Sequence, residues 1–227
     1  MNSSPTRAVE SAERIVRRTL RDHASRVALA CSFGGPSGMA LLDLTLRIDP
    51  SVPVYYLDTG LLFAETHALV ERVASRYAIT PIAVRPELSV EEQGVRYGEA
   101  LWSTDPDRCC ALRKVAPNRA FLRTFDAWLT GIRRAQSSTR TDLDPVQSDA
   151  DGIYKVSPLY DWTDDDVWAY INANGVPVNA LHSEGYPSIG CFPCTRPVAP
   201  GQGGRDGRWA GFAKTECGLH APAGKRA

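Results

Sequence analysis

Four of the six cysteines in the sequence are arranged as two pairs. Cys109 and Cys110 are adjacent, and Cys191 and Cys194 form the sequence CFPC. A single tetrahedral zinc ion usually takes thiolates that are two or more residues apart, whereas a four-iron cluster offers each thiolate its own iron. The adjacent pair therefore favours a [4Fe-4S] cluster. Structural zinc remains an alternative, as does a redox or merely buried arrangement, because thiolates suit all of these.

The other two cysteines differ from each other in their surroundings. Cys31 ends the apolar run VALAC, where a small side chain is commonly packed, and we interpret it as structural. Cys217 lies among polar residues in KTECGLH, and an exposed, unpaired cysteine suggests a nucleophile. The basic residues of that segment would favour its thiolate and Glu216 would oppose it. The local charges therefore favour neither a catalytic nor an incidental role for Cys217.

Basic residues and a glycine-rich segment predict a site for an anion. Lys114 lies one helical turn after Cys110, near enough for its ammonium to face a cluster or a bound anion, although a solvated lysine is the alternative. SFGGPSG follows an apolar run and precedes a helical pattern, which is typical of backbone N–H groups that bind an anion at a helix N-terminus. An ordinary turn has the same composition. Further arginines occur in GIRRAQSSTR and GGRDGRW, and guanidinium groups suit phosphate or sulfate oxygens.

Composition excludes several classes of function. The 227 residues include 26 basic and 26 acidic residues, so the net charge of zero provides no global field for nucleic acid or an anionic membrane. No apolar run approaches eighteen residues, and the N-terminus lacks the features of a secretory signal. We therefore expect a soluble, cytoplasmic protein that binds neither nucleic acid nor membrane.

The residues that could do chemistry must be positioned by alternating strands and helices. Four apolar runs predict strands, at Val27–Cys31, Pro53–Asp58, Thr80–Pro86 and Asp126–Ile132. Amphipathic patterns predict helices at Arg7–Arg21 and Leu62–Tyr77. Strands that alternate with helices imply a doubly wound, mostly parallel α/β sheet. LDTG and GIRR then follow strands at the carboxyl edge, where open sheets bind ligands.

The second half of the chain has weaker patterns. A helical stretch after Cys109 contains Pro117, which should end or kink it. Residues 137–152 are polar and predict a mobile surface loop. Thr163 predicts a helix start and Gly175 a helix stop. We expect a single domain over 1–227, with an N-terminal helix (1–24), an α/β core (25–184) and an irregular C-terminal segment (185–227).

Several of these motifs together resemble one known family. The CC pair, YDWTDDDVWAYI, GYPSIGCFPCTRPV, GRDGRW and KTECGLH are similar to the assimilatory adenylyl-sulfate (APS) reductases of the phosphoadenylyl-sulfate reductase superfamily, from about Ser32 to His220. The resemblance implies the adenine nucleotide α-hydrolase-like fold, shared with ATP pyrophosphatases. It implies that 25–184 is a nucleotide-binding core and that 185–227 is a cluster-binding loop and mobile catalytic tail. It also implies that Cys109, Cys110, Cys191 and Cys194 bind a [4Fe-4S] cluster. Members with these four cysteines favour adenylyl sulfate over its 3′-phosphorylated form.

The resemblance has two departures. ATP pyrophosphatases carry Ser-Gly-Gly-x-Asp-Ser at the first loop, whereas SFGGPSG lacks the Asp-Ser end, which argues against ATP hydrolysis. Plant enzymes of this type append a thioredoxin-like domain, whereas this sequence ends ten residues after Cys217. We therefore expect an external dithiol protein, reduced thioredoxin or a glutaredoxin-like protein, to be a partner.

The chemistry implied is reduction of adenosine 5′-phosphosulfate to sulfite and AMP. Cys217 would be the nucleophile and would form an enzyme S-sulfocysteine. The alternatives are a reductase for 3′-phosphoadenylyl sulfate and a non-catalytic zinc protein that binds an adenine nucleotide. A homo-oligomer is one option for its assembly. The predicted substrate-binding residues are Ser32, Phe33, Gly34, Gly35, Asp58, Lys114, Arg133, Arg134, Arg140, Arg205, Arg208, Lys214 and His220.

Overall fold

A single mixed sheet organises the part of the chain that the structure, a computed structural model, describes: residues 5–149, 152–199, 201 and 203–220. Within these residues the sheet has six strands in the order β3-β2-β1-β4-β6-β5. The strands are β1 (Val27–Ala30), β2 (Val54–Leu57), β3 (Ile82–Val84), β4 (Ala127–Thr130), β5 (Val146–Ser148) and β6 (Tyr154–Val156). All neighbouring strands are parallel except β5, which runs antiparallel to β6 at the edge. The predicted doubly wound, mostly parallel α/β fold is confirmed.

The helices connect the strands and cover both faces of the sheet. They are α1 (Pro5–His23), α2 (Pro36–Ile48), α3 (Ala64–Tyr77), α4 (Val90–Tyr97), α5 (Leu101–Thr104), α6 (Pro106–Cys110), α7 (Ala116–Leu122) and α8 (Asp164–Asn174). α8 starts with the predicted capping box between Thr163 and Asp166 and ends at Gly175 in the left-handed conformation. None of the helices in the described ranges has the length and apolar character that crossing a bilayer requires.

Alternate residues of each strand face different helices. In β1, Val27 and Leu29 belong to the larger core, which α1, α2, α3 and α8 cover. Ala28 belongs to a smaller core on the other face, where it packs with Leu122 of α7 and Trp128 of β4. This two-sided burial explains why the central strands are continuous apolar runs in the sequence.

A buried carboxylate joins three helices on the larger face. Asp43 of α2 is 1% exposed. It accepts hydrogen bonds from the hydroxyl groups of Tyr77 on α3 and Tyr170 on α8, both at 2.8 Å. It also pairs with Arg47 at 2.8 Å. The charge is therefore well satisfied where an unpaired carboxylate would be costly.

Two sequence predictions need correction. The region 137–152 is not entirely loop, because it contains β5. The sequence of β5 is short and polar, so it does not indicate the hydrogen bonds that β5 makes with β6. Pro117 does not end the helical stretch: the backbone widens into a π-helical turn at Ala111–Val115, and Pro117 lies in the first turn of α7. Proline cannot donate to the carbonyl four residues earlier, which explains the wider turn.

Parts of the predicted division lie outside the described residues, namely 1–4, 150–151, 200, 202 and 221–227. From Gly185 to His220 the described chain has few regular elements, as expected. A 3₁₀ turn at Phe192–Cys194 and an isolated bridge between Thr195 and Arg208 fold this segment back over the sheet.

Candidate active site

A cleft of about 790 Å³ opens at the carboxyl ends of β1 and β4. The connections from these two neighbouring strands leave in opposite directions along the sheet, since β1 leads to β2 on one side and β4 leads to β5 and β6 on the other. Crevices at such a switch point bind ligands in open α/β sheets. The loops that follow β1, β2 and β4 line the cleft, and the C-terminal tail lies across it.

The loop after β1 brings backbone groups to the start of α2. Gly34 lies so close to the loop before CFPC that an added Cβ would be 2.5 Å from the carbonyl oxygen of Ile189. Gly35 is the N-cap of α2 and has no capping side chain, so that its first N–H groups can face an anion. Phe33 has a φ of 54° and a fully buried side chain, packed edge-on against Tyr56. A bulky residue in this conformation is strained, as is often found at binding loops.

Arg140 and Arg205 face the cleft and share one carboxylate. Nε and Nη2 of Arg140 donate to the two oxygens of Glu216 at 2.9 and 2.8 Å. Arg205 donates to the same carboxylate at 3.3 Å and to the carbonyl of Thr215 at 2.8 Å. Burial would raise the pKa of Glu216, but the hydrogen bonds and charges of Arg140 and Arg205 lower it below its ordinary value. The two guanidinium groups thus form a site for an anion.

Arg208 completes the basic side of the cleft. Its guanidinium group lies 4.5 Å from the centre of the Trp209 ring and donates to the hydroxyl of Ser188 at 3.2 Å. Its buried Nε has no hydrogen-bond partner among the described residues. Arg205 and Lys214 also lie over the Trp209 ring, at 5.7 and 5.5 Å. This indole therefore orients three cations through cation–π contacts.

The tail places Cys217 in the same cleft. Cys217 is half-buried and lines the cleft with Glu216 and His220. His220 stacks on Trp128 with ring centres 6.0 Å apart, and its buried Nδ1 has no partner among the described residues. Burial and the nearby charges of Lys155 and Arg140 lower the pKa of His220 well below 6.5, so the imidazole is neutral. A thiol, a neutral imidazole and several cations thus meet at one place.

The four paired cysteines also come together. Cys109, Cys110 and Cys191 are buried and Cys194 is half-buried. Burial raises the pKa of Cys109 to about 12, and the charges of the other three add to this increase, which shows that the four lie in one region. Burial would raise the pKa of Cys191 too, but Lys114 and a hydrogen bond with Thr59 lower it.

No three His, Cys, Asp or Glu side chains of the described residues are arranged as ligands of one metal ion. The ligands of a four-iron cluster each bind a different iron and need not converge on one point. Burial would lower the pKa of Lys114, but Cys191, Cys217 and Cys110 raise it above its ordinary value, so this cation faces the thiols. A set of four thiols beside a buried cation is a suitable environment for an anionic, thiolate-bound metal group.

Sequence and structure comparisons identify the family. The profile described as "phosphoadenosine phosphosulfate reductase domain" matches residues 26–197. The chain belongs to this family. The chain is 45% identical to the adenosine 5′-phosphosulfate reductase of Halalkalibacterium halodurans over 208 residues, which is 91% of this chain and 90% of that protein. The membership predicted from the sequence motifs is confirmed.

Two solved structures are similar to this member of the family. The phosphoadenylyl-sulfate reductase of Candida auris, in complex with phosphate, has a TM-score of 0.71 and 30% identity, and the match covers 86% of this chain and 99% of that one. The FMN adenylyltransferase of Candida glabrata has a TM-score of 0.60 at 19% identity, covering 85% of this chain and 63% of that one. The second match shows the fold alone, and it agrees with the predicted adenine nucleotide α-hydrolase-like fold.

Most of the predicted substrate-binding residues of this reductase-family chain line the cleft. They are Ser32, Gly34, Gly35, Lys114, Arg133, Arg140, Arg205, Arg208 and His220. Arg133 is 2% exposed, and its guanidinium group is engaged by Ser37, the carbonyl of Trp162, and Asp164. Three of its five N–H donors are thus engaged, and they hold the guanidinium group at the starts of α2 and α8.

Four predicted residues lie outside the lining of the cleft. Phe33 is in the core, and Asp58 pairs with Arg85 at 3.0 Å. Arg134 donates to the carbonyl of Leu143 at 2.9 Å. Lys214 pairs with Asp107. None of the four is among the residues that line the cleft.

The sequence patterns did not indicate a role for Trp209, Lys155 or Gln136. For Glu216 they indicated only a negative charge that would oppose the Cys217 thiolate. Gln136 accepts a hydrogen bond from Arg140 and donates to Ser37 at 3.1 Å, so it connects the loop after β4 with α2. Trp209 directly follows GRDGR, and a large aromatic beside spaced arginines was the available signal. The other contacts join residues that are far apart in the chain, which composition and spacing do not reveal.

Proposed function

We propose that the chain reduces adenosine 5′-phosphosulfate to sulfite and AMP in assimilatory sulfate reduction, with reduced thioredoxin or a glutaredoxin-like dithiol protein as electron donor. The supporting observation is that Cys217 lines the cleft beside Arg140, Arg205 and Arg208. The relative from Halalkalibacterium halodurans carries this activity in its name. A dithiol donor suits a reducing compartment, so we place the enzyme in the cytoplasm.

The substrate is an anion that must approach another anion. The Cys217 thiolate and the phosphosulfate repel each other, and the cations of the cleft offset this repulsion. Arg208 has an unpartnered Nε, and Lys114 faces the thiols, so these two are the first candidates to contact the phosphosulfate. The nucleotide would then lie over the loop of Ser32 to Gly35 and the end of β2.

The reaction takes two stages. The Cys217 thiolate attacks the sulfate sulfur, the bond between that sulfur and the phosphate oxygen breaks, and AMP leaves with both electrons of that bond. A thiolate of the dithiol protein then attacks the Cys217 sulfur and expels sulfite, which leaves a mixed disulfide. The second thiol of the donor resolves this disulfide and restores Cys217. The donor dithiol is oxidised by two electrons, and the sulfur of the substrate is reduced by two.

These stages need Cys217 in two positions. It must face the substrate inside the cleft and later meet the dithiol protein outside it, so we propose that the tail after Cys194 moves between the steps, while Cys191 and Cys194 stay at the predicted cluster site. Few regular elements hold this segment, which is consistent with such movement.

We further propose that Cys109, Cys110, Cys191 and Cys194 bind a [4Fe-4S] cluster. The reducing equivalents come from the dithiol, so the cluster would supply negative charge and structural support rather than electrons. Lys114 is electrostatically coupled both to two of these cysteines, Cys191 and Cys110, and to Cys217. Lys114 thereby links the predicted cluster site with the site of attack.

Replacement of Cys217 tests the proposal most directly. Anaerobically purified Cys217→Ser should form no sulfite from adenosine 5′-phosphosulfate with thioredoxin, while it keeps the visible absorption of iron–sulfur protein. The control is Glu71→Gln, because Glu71 is exposed on α3, away from the residues that line the cleft, and the change should affect neither readout. Cys110→Ala should lose the colour. Sulfite formation by Cys217→Ser would exclude this residue as the nucleophile, and a colourless, inactive wild type would favour a zinc or nucleotide-binding protein.

A reductase for the 3′-phosphorylated substrate is the second candidate, which the likeness to the Candida auris enzyme supports. Both substrates should be offered together in equal amounts to the wild-type protein. Preferential consumption of adenosine 5′-phosphosulfate supports the first proposal, and preference for the 3′-phosphorylated form supports the second.

A further inference from the structure

The carboxylate next to the proposed nucleophile occupies the anion site itself. Glu216 precedes Cys217, and its oxygens take three guanidinium hydrogen bonds, two from Arg140 and one from Arg205. The hydroxyl of Thr139 is a further partner at 3.2 Å. A carboxylate and one face of a sulfate or phosphate group present similar pairs of oxygens to a guanidinium fork.

The pair is shielded from water, so it should be stronger than a surface ion pair. The side chains of Arg140 and Glu216 are 8% and 15% exposed. Coulombic attraction is larger in such a setting than between solvated charges. Among the acidic residues that line the described part of the cleft, Asp164 already pairs with Arg133. Glu216 is therefore the acid that competes with an incoming anion for Arg140 and Arg205.

We propose that Glu216 is a positioning residue that holds the tail closed by occupying the anion site, and that a sulfate-like group of the substrate displaces it. Closure of the tail and binding of the anion then use the same two arginines. An anion that binds there releases the Glu216 carboxylate and frees the tail, so that Cys217 can turn toward a bound substrate and afterwards leave the cleft. The identity of the anion rests on the proposed function, but the competition itself does not.

A second ionic contact of the same tail provides an internal comparison. Lys214 pairs with Asp107, which belongs to α6. This contact also restrains the tail, but it involves neither Arg140 nor Arg205. Its loss should loosen the tail without changing the response to an anion.

The test is the rate at which iodoacetamide alkylates Cys217 in the anaerobically purified protein, measured by mass spectrometry of the peptide that carries Cys217. Inorganic sulfate is the probe anion, and sodium chloride of equal ionic strength is the control. Glu216→Gln should raise the rate about tenfold, because a hydrogen bond to a charged group is worth about that factor. Sulfate should accelerate alkylation of the wild type and have no effect on Glu216→Gln.

Two control variants separate competition from a general structural role. Asp107→Asn should be alkylated faster than the wild type but should keep its response to sulfate. Glu71→Gln, an exposed residue of α3, should behave like the wild type. The proposal is overturned if Glu216→Gln reacts at the wild-type rate, or if sulfate fails to accelerate the wild type more than chloride does. Because alkylation needs no sulfite formation, this result is independent of the reaction assigned to Cys217.

Discussion

Lys155 is surrounded by groups that act on its charge in opposite directions. It lies on β6, and burial together with the positive charge of Arg140 lowers its pKa to about 8. Glu216 and Cys217 act against this decrease. The neutral imidazole of His220 also lies nearby. Near neutral pH the lysine is therefore mostly charged in a place that disfavours the charge.

This residue predicts a pH-dependent stability difference. The folded-state pKa is below the ordinary value of 10.5, so the stability contributed by Lys155 is full above that value and is lost as the pH falls through about 8. Lys155→Met should therefore raise the thermal midpoint at pH 7, and the gain should shrink at pH 10. Groups that do not interact with Lys155 titrate alike in both proteins, so the difference between the two melting curves reports on Lys155 and on the groups coupled to it. An equal gain at both pH values would contradict the assigned cause.

At the scale of single residues, the sequence motifs identified the candidate reactive residues but not the residues that contact them. The pairs CC and CFPC, and Cys217 in KTECGLH, identified the residues that the fold brings to one region. The role of Glu216 could not be predicted, because its arginine partner Arg140 is 76 positions away. Burial distinguishes the roles of two adjacent residues. Arg133 is buried beneath the start of α2, whereas Arg134 is exposed. Such differences depend on packing rather than on residue type.

The elements of the site meet through close backbone contacts. Gly131 follows β4, and a Cβ there would lie 2.8 Å from the carbonyl oxygen of Ser37 and 2.9 Å from the nitrogen of Gly38. Both neighbours are backbone atoms at the start of α2, so neither can rotate away. Glycine at this position lets β4 approach the helix that follows β1, and this approach narrows the base of the cleft.

We expect Gly131→Ala to lower the free energy of unfolding by about 1–3 kcal/mol, since overpacking against fixed atoms costs about that much. Urea-induced unfolding measures the change. Gly94→Ala is the matched control, because Gly94 lies inside α4 and an added Cβ would have no neighbour closer than 3.9 Å. It should raise the free energy of unfolding by about 0.5–1 kcal/mol, as alanine favours helix over glycine. Changes of the same sign in both variants would refute the argument from backbone contact.

At the scale of elements, the apolar strands could be predicted from the sequence and the short polar strands could not. The apolar runs of β1 to β4 have the length and composition of buried parallel strands, and the structure confirms them within one or two residues. β5 (VQS) and β6 (YKV) have three residues each, as β3 does, but unlike β3 they lack an apolar run that differs from the polar sequence around them. Their pairing with each other and with β4 stabilises them instead.

For the whole molecule, Asp43 connects the helices of the larger face. Asp43→Ala should lower the free energy of unfolding by about 3 kcal/mol or more, because each hydrogen bond to a buried charge contributes about 1.5–3 kcal/mol. Tyr77→Phe removes one of these bonds and should cost about half as much. Chemical denaturation of both variants measures this.

The exposed Tyr154 supplies the control for these substitutions. It is 41% exposed, so Tyr154→Phe should change the free energy of unfolding by less than about 0.5 kcal/mol. If Asp43→Ala unfolds within 1 kcal/mol of the wild type, the carboxylate does not join the three helices energetically.

The two ends of the sheet have a consequence for how copies of the chain meet. In the described residues, each edge strand, β3 and β5, has only three residues. Long unpaired edges act as templates on which other chains add strands and aggregate. Edges this short offer few free N–H and carbonyl groups, so the chain should resist aggregation by strand addition at high concentration. Any self-association would then depend on contacts between side chains rather than on continuation of the sheet.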